Sequence, residues 1–489
     1  MVQGTTSDAG KSILVAGLCR LFKRNGVLVA PFKPQNMALN SAVTASGGEI
    51  GRAQALQATA CGLAPHIDFN PVLLKPSSDQ QSQVIIHGKA VSQLEARSFG
   101  NIKALAFNKV LESYRRLQQQ FDVILIEGAG SPAEVNLRKN DIANMGFAEV
   151  VNCPVILISD IDRGGVFAHL TGTLNLLSAS EQALVKGFVI NKFRGELSLL
   201  QNGLDWLEDY SQKKVLGVLP YLQDLKLDAE DTIKLDSQAQ TGEISIKVIV
   251  LPRISNHTDF EPLAANDHVC LSYVREPAEI IGTDLVIIPG SKNVREDLVF
   301  LAQNGWDRAV KRHLRYGGKL LGICGGYQML GDKISDPNGV EGKAGESNGL
   351  GLFPIETELK TQKILTQVSG YFELGEHKGY ISGYEIHCGV TQSNTNCKSF
   401  CKITDQNGHC YSDGLISNDG LILGTYLHGL FESKEVIQAI LVWVSGKNHS
   451  AVDWKQVREK ELERLADMLE ESLDISMIIK AIGYSTRGQ

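Results

Sequence analysis

A single cysteine sits among glycines in Leu320-Leu321-Gly322-Ile323-Cys324-Gly325-Gly326-Tyr327-Gln328-Met329-Leu330, with an apolar run before it and a helix-forming run after it. This pattern suits a nucleophile elbow, a sharp strand-to-helix turn that exposes its reactive atom and needs neighbours without side chains. A helix starting just after Cys324 would bring backbone N–H groups and a positive dipole end to a thiolate, with the Gly325 N–H as one oxyanion donor. The same residues also fit a buried structural cysteine in a βα turn. A cysteine nucleophile needs a base, usually a histidine that the fold brings near. Two candidates lie downstream: His428, after the strand-like Leu421–Tyr426 and before Gly429, and His387, within Gly383–Gly389. A strand followed by a glycine turn can aim a side chain at a neighbouring strand end, which favours His428. Gly290, in the turn after the apolar run Leu285–Ile288, is placed to supply a second oxyanion N–H.

A second chemistry is written at the start of the chain. Gly4-Thr5-Thr6-Ser7-Asp8-Ala9-Gly10-Lys11-Ser12 precedes a helical run. The backbone around Gly4, Thr5 and Gly10 would wrap a phosphate, Lys11 would neutralise the β and γ oxygens of ATP, and the Ser12 hydroxyl would reach Mg²⁺. Five residues separate Gly4 from Gly10, one more than the strict Walker A spacing, and only Met1 to Gln3 remain for the preceding strand. Further polar residues stand at the ends of strand-like runs, where ligands bind in doubly wound sheets. Lys33 ends Val27–Phe32, and Asn191 ends Lys186–Asn191, a position near a nucleotide base. Glu127 ends Phe121–Ile126 and is the expected second Mg²⁺ ligand, ahead of Glu49. Asp160, Asp162 and Arg163 follow Val155–Ser159 and read either as a loop gripping anionic substrate or as a salt-bridged turn.

The elements that must position these residues alternate strand and helix, which implies mostly parallel sheets with helices on both faces. At 489 residues the chain exceeds one ordinary core, and a prior of roughly 150 residues per domain suggests two to four. The expected division is a P-loop domain over 1–224, an acidic linker over 225–244, a second α/β domain over 245–445, and a helical extension over 446–489 lying on the surface. A net charge of -7 without a Lys/Arg-rich block argues against nucleic acid or an anionic membrane as partner. Apolar runs are of strand length, well short of the ~20 residues that span a bilayer. The N-terminus lacks a basic segment followed by an apolar one, so the cytoplasm is the default compartment. Nine cysteines without repeated spacing fit reduced thiols there. Cys397 and Cys401 have no second Cys/His pair at zinc spacing, so no zinc site is expected.

GICGGYQ together with Tyr426-Leu427-His428-Gly429 resembles class I glutamine amidotransferase domains, and the N-terminal loop resembles the dethiobiotin synthetase family of P-loop ligases. The ordered blocks KPQNMALNS, EIGRAQA, NPVLLKP, EGAGSPAE, DIDRGGVFA, NKFRG, PRISNHTDFEPL, PGSKN, GICGGYQMLG and GYEIHCG are similar, over nearly the whole chain, to the cobyric acid synthase family of cobalamin biosynthesis. The resemblance implies a P-loop NTPase-like sheet followed by a flavodoxin-like amidotransferase sheet. It also implies ATP- and glutamine-dependent amidation of the b, d, e and g carboxylates of adenosylcobyrinic acid a,c-diamide. Cys324 would form a glutamyl thioester, and the ammonia released would need shielding from water on its way to an acyl phosphate. In the wider amidotransferase class a glutamate two residues after the histidine orients it. Leu430 stands there instead, as in the cobyric acid synthase branch, so the expectation is a Cys-His dyad oriented by Glu432 or a backbone carbonyl. The rivals are a cobyrinic acid a,c-diamide synthase and, from another class, a P-loop ATPase switch of the partition-protein type.

Overall fold

The computed structural model describes residues 1–76, 81–95, 99–227, 242–393 and 397–484. The chain divides into two compact units, one of residues 1–38, 49–230 and 458–489, the other of 39–48 and 231–457.

In the first unit, strands Val2–Gly4, Val155–Asp160, Val185–Phe193 and Lys214–Pro220 lie parallel in that order. Val29–Phe32 pairs in parallel with Val123–Ile126, and a parallel bridge from Val2 to Glu127 joins that pair to the other side of the first strand. Alternate residues of Val155–Asp160 enter opposite cores. Leu157 packs with Phe32, Phe147 and Ile190, while Ile156 and Ile158 pack with Val15, Leu18 and Val189. Burial of both faces is why this strand reads as an unbroken apolar run rather than an alternating one.

The C-terminal segment departs from the surface extension expected. Helix Trp454–Ser472 belongs to the first unit from Arg458 onward, and its Leu462, Leu465 and Leu469 are buried against Leu14, Val15 and Leu18. Charges at the intervening positions disguise an apolar stripe of i, i+3, i+7 spacing, which needs a partner face to be recognised. Of the acidic stretch expected to be a linker, 228–241 lie outside the described residues.

The second unit is built on five parallel strands: Ile244–Ile249, Val269–Val274, Leu285–Ile288, Lys319–Ile323 and Ile422–Thr425. Numbered along the chain, their spatial order is 2-1-3-4-5, the flavodoxin-like doubly wound arrangement. Antiparallel strands Cys410–Ile416, Lys398–Asp405 and Ile355–Leu374 extend the sheet beyond Ile422–Thr425. Lys319–Ile323 and Ile422–Thr425 are direct neighbours, with Ile323 opposite Thr425. Residues just past their C-terminal ends therefore emerge side by side, whatever their separation in sequence.

Candidate active site

Cys324 follows the buried strand Lys319–Ile323 and precedes the short helix Gly325–Met329. Its backbone lies at φ 52 and ψ -108, a region that side-chain-bearing residues rarely occupy and that costs on the order of 1–3 kcal/mol. Only close packing holds it there. The Cys324 N–H donates to Thr425 O at 2.8 Å. A β-carbon at Gly326 would meet Ile288 O at 2.0 Å, and one at Gly325 would meet Ser291 N at 2.8 Å. The glycines are thus required by close approach of two backbones, and the elbow expected from the sequence is the geometry found.

His428 follows the neighbouring strand and is 1 % exposed. Its backbone exchanges two hydrogen bonds with Tyr384, whose ring stacks on the imidazole at 5.3 Å. Nδ1 lies 2.6 Å from Asp259 Oδ2, and the Gly429 N–H donates to Asp259 Oδ1 at 3.3 Å. Asp259 stands on the single turn His257–Phe260, in the connection after strand Ile244–Ile249. It occupies the role expected of Glu432 or a backbone carbonyl: the ring is oriented by a carboxylate 169 residues earlier in the chain. Nε2 is buried without a partner of ordinary hydrogen-bond geometry among the described residues, and Cys324 is near enough for its negative form to act on the ring. Burial alone would lower the imidazole's pKa. The Asp259 carboxylate and Cys324 outweigh it and push the pKa up to about 10.

The residues behind Asp259 belong to the same unit. Ser41 N donates to Asn256 Oδ1 at 3.0 Å, Asn40 Nδ2 lies 3.1 Å from His257 Nε2, and Tyr384 Oη donates to Ser41 O at 3.0 Å. Segment 39–48 thus braces both the Asp259 turn and the tyrosine stacked on His428. Gly290 pairs with Ser255 and lies against the imidazole, a β-carbon there falling 3.5 Å from His428 Cε1. His387, the other base considered, stacks on Tyr426 at 3.8 Å and places Nδ1 2.8 Å from Gly389 O. Burial pushes its pKa down to about 4, against the pull of that carbonyl, so it stays neutral.

In the first unit the loop before helix Lys11–Arg24 folds over its own lysine, with Lys11 Nζ donating to Thr6 O and Ser7 O at 2.9 Å each. Gly10 has φ 97, and a β-carbon there would strike Asn191 Nδ2 at 2.1 Å. Asn191 instead donates to Ala9 O at 2.9 Å, so it supports the loop backbone. The Thr5 and Ser159 hydroxyls lie 2.8 Å apart. The loop opening is ringed by the acidic segment: Lys192 bridges Asp8 O and Asp160 Oδ2, Arg163 lies 3.4 Å from Asp8, and Arg194 holds Asp162 at 2.8 Å. The salt-bridged turn considered from the sequence is present at these three positions.

Glu127 is fully buried and receives Ser12 Oγ at 2.8 Å and Lys33 Nζ at 2.7 Å on Oε1, with Gln57 at 2.6 Å and Gln54 at 3.3 Å on Oε2. Burial favours its neutral acid, but Lys33 and the donated hydrogen bonds prevail and hold it below the usual carboxylate range. Ser12 and Glu127, the two residues expected to share Mg²⁺, are thus adjacent and hydrogen-bonded to each other. Glu49 is instead paired with Lys75 at 2.8 Å.

Fold and site together define a P-loop nucleotide-binding unit joined to a cysteine amidotransferase unit. Residues 1–235 match the CobQ/CobB/MinD/ParA nucleotide binding domain family, and residues 245–436 match the CobB/CobQ-like glutamine amidotransferase domain family. The Shewanella oneidensis cobyric acid synthase is 56% identical over 501 residues, covering 98% of this chain and 98% of its own. This chain belongs to the cobyric acid synthase family. Among solved structures, PurLQS from Thermotoga maritima is 15% identical, covers 41% of this chain and 99% of its own, at a TM-score of 0.32. The Aquifex aeolicus MinD cell division protein is 12% identical, covers 46% and 82%, at a TM-score of 0.26.

Proposed function

We propose that this chain is a glutamine-hydrolysing, ATP-dependent amidoligase of cobalamin biosynthesis that amidates the b, d, e and g carboxylates of adenosylcobyrinic acid a,c-diamide. One observation carries the reading: a strained cysteine and an Asp259-oriented His428 emerge side by side from neighbouring parallel strands, in a chain whose other unit carries a phosphate loop. Cys324 Sγ attacks the side-chain amide carbon of glutamine. The backbone N–H groups of Gly325 and the Gly290 turn stabilise the oxyanion. His428 Nε2 passes its proton to the departing nitrogen, releasing ammonia and leaving a glutamyl thioester. Water, losing its proton to the same ring, cleaves the thioester to glutamate and restores the thiolate.

In the other unit a corrinoid carboxylate oxygen attacks the γ-phosphorus of ATP, forming an acyl phosphate and ADP. Ammonia then attacks the acyl carbon and inorganic phosphate leaves. Lys11 and the loop N–H groups take up charge on the transferring phosphoryl group. Ser12 and Glu127 would hold Mg²⁺, which supplies further charge stabilisation when bound. The polar ring of Asp160, Asp162 and Arg163 faces the loop opening through Asp8, which supports a role in admitting substrate.

Cys324→Ala tests the assignment. The variant is expected to lose glutamine-driven amidation by at least roughly 10³-fold and to retain amidation with added ammonia, read as corrinoid mass gain. Full glutamine-driven activity in the variant would sink the nucleophile; ATP turnover independent of corrinoid would sink the ligase.

A further inference from the structure

Three side chains outside the Cys324 site converge at the opposite end of the same parallel strands. Glu243 immediately precedes strand Ile244–Ile249, His268 immediately precedes Val269–Val274, and His449 follows helix Lys434–Ser445. Glu243 Oε1 is 3.4 Å from His449 Nδ1 and 3.8 Å from His268 Nδ1. The two imidazole centroids are 4.8 Å apart, and a donor atom from each of the three side chains lies within 4.8 Å of the others.

A serine hydroxyl stands beside the Nε2 of each ring. His449 Nε2 lies 3.0 Å from Ser445 Oγ, whose hydroxyl also reaches Leu441 O at 2.8 Å. His268 Nε2 lies 3.3 Å from Ser450 Oγ. Each Nε2 is thereby occupied by a serine, and each Nδ1 is turned toward Glu243. This is the outer-sphere pattern that fixes ligand histidines. A cation placed among the two Nδ1 atoms and Glu243 Oε1 would be held by all three side chains. Ligands bonded to a metal ion at 2.0–2.1 Å around a tetrahedral centre sit about 3.3–3.4 Å apart, the spacing of Glu243 Oε1 and His449 Nδ1 at 3.4 Å, with His268 Nδ1 slightly farther at 3.8 Å. Lys447 Nζ lies 3.9 Å from the other carboxylate oxygen, Oε2, and leaves Oε1 free for this role.

We propose that Glu243 Oε1, His268 Nδ1 and His449 Nδ1 bind a divalent first-row transition ion of the zinc type, with water completing the coordination. Imidazole with one carboxylate selects such ions over Mg²⁺ or Ca²⁺. The site lies at the N-terminal ends of strands whose C-terminal ends carry the catalytic groups, so the ion clips strand starts to a helix end and takes no part in amide chemistry. Ligands spread from residue 243 to residue 449 also explain why no sequence spacing announces it.

The test uses tag-free, full-length protein, stripped with chelator and titrated with Co²⁺ and then Zn²⁺. One bound Co²⁺ should give a visible spectrum of nitrogen and oxygen ligation without sulfur charge-transfer bands, be displaced by Zn²⁺, and persist in Cys324→Ser. Zn²⁺ at a hundred times its Kd should raise the melting midpoint by roughly 5–10 °C. Both effects should vanish in His449→Ala and in His268→Gln. The second variant alters a half-exposed side chain, so its glutaminase rate should match the parent and report an intact fold. Metal binding unchanged in the two histidine variants, binding lost only in Cys324→Ser, or no binding to the parent protein would each overturn the proposal.

Discussion

Asp259 is where the chemistry of one residue depends most on another. Its carboxylate lies 2.6 Å from Nδ1 of His428 and, together with Cys324, raises the pKa of the ring. Asp259→Asn keeps the shape and removes the charge, and should lower glutamine hydrolysis by on the order of 10²–10⁴-fold while ammonia-driven amidation continues. The same variant tests the raised pKa. A ring whose pKa is about 10 when folded and near 6.5 when unfolded stabilises the fold fully below pH 6.5, and that stabilisation is lost as pH rises toward 10. Melting midpoints between pH 7.5 and 10 should therefore fall more steeply in the parent than in Asp259→Asn; parallel curves would contradict the charged ring. Glu127 and Ser12 pose a similar question for the ion that ATP brings. Ser12→Ala should raise the Mg²⁺ concentration for half-maximal amidation by at least the roughly 10-fold that even an outer ligand partner costs, with glutamine hydrolysis unaffected.

At the scale of elements, the elbow stores strain that the sheet sustains. Cys324 sits at φ 52 and ψ -108, its N–H tied to Thr425 O and the following glycines pressed against Ser291 N and Ile288 O, so a substituted side chain at 324 inherits the same backbone. Cys324→Gly should consequently be more stable than Cys324→Ala by about 1 kcal/mol, the relief of strain exceeding glycine's entropic cost. Urea unfolding of the two inactive variants measures this directly, and a less stable glycine variant would remove the strain from the account. The elbow was legible in the sequence because glycines stand on both sides of a cysteine between an apolar strand and a helix, although that pattern also fitted a buried structural cysteine until a histidine was found to pair with it. The third member of the site was not. Asp259 stands in a turn between strands, in a stretch where nothing local distinguishes it from a capping acid.

For the whole molecule, the two units are not two contiguous halves of the chain. Residues 39–48 fold with the second unit and residues from Arg458 onward with the first. Leu465 is fully buried and lies 2.9 Å from where a β-carbon on Gly17 would be, so the last long helix completes the P-loop unit's core. Arg20, also buried, reaches Glu459 at 2.8 Å and Glu463 at 3.3 Å on that helix. Leu465→Ala should cost about 2–5 kcal/mol in the first unit and leave the Cys324-dependent glutaminase rate unchanged. A wild-type melting profile would return this helix to the surface role read from its charges.

By itself the sequence determined both chemistries and their partition between two parallel-sheet units. The phosphate loop and the elbow are built from neighbours within a few positions, and local spacing records local geometry. Only the tertiary structure decided which carboxylate orients His428, that Lys33 serves Glu127, and where the last helix packs. Those choices join residues separated by 169, 94 and more than 400 positions. Parallel strands bring their ends together by sheet order, and sheet order leaves no mark on the spacing of residues along a single strand.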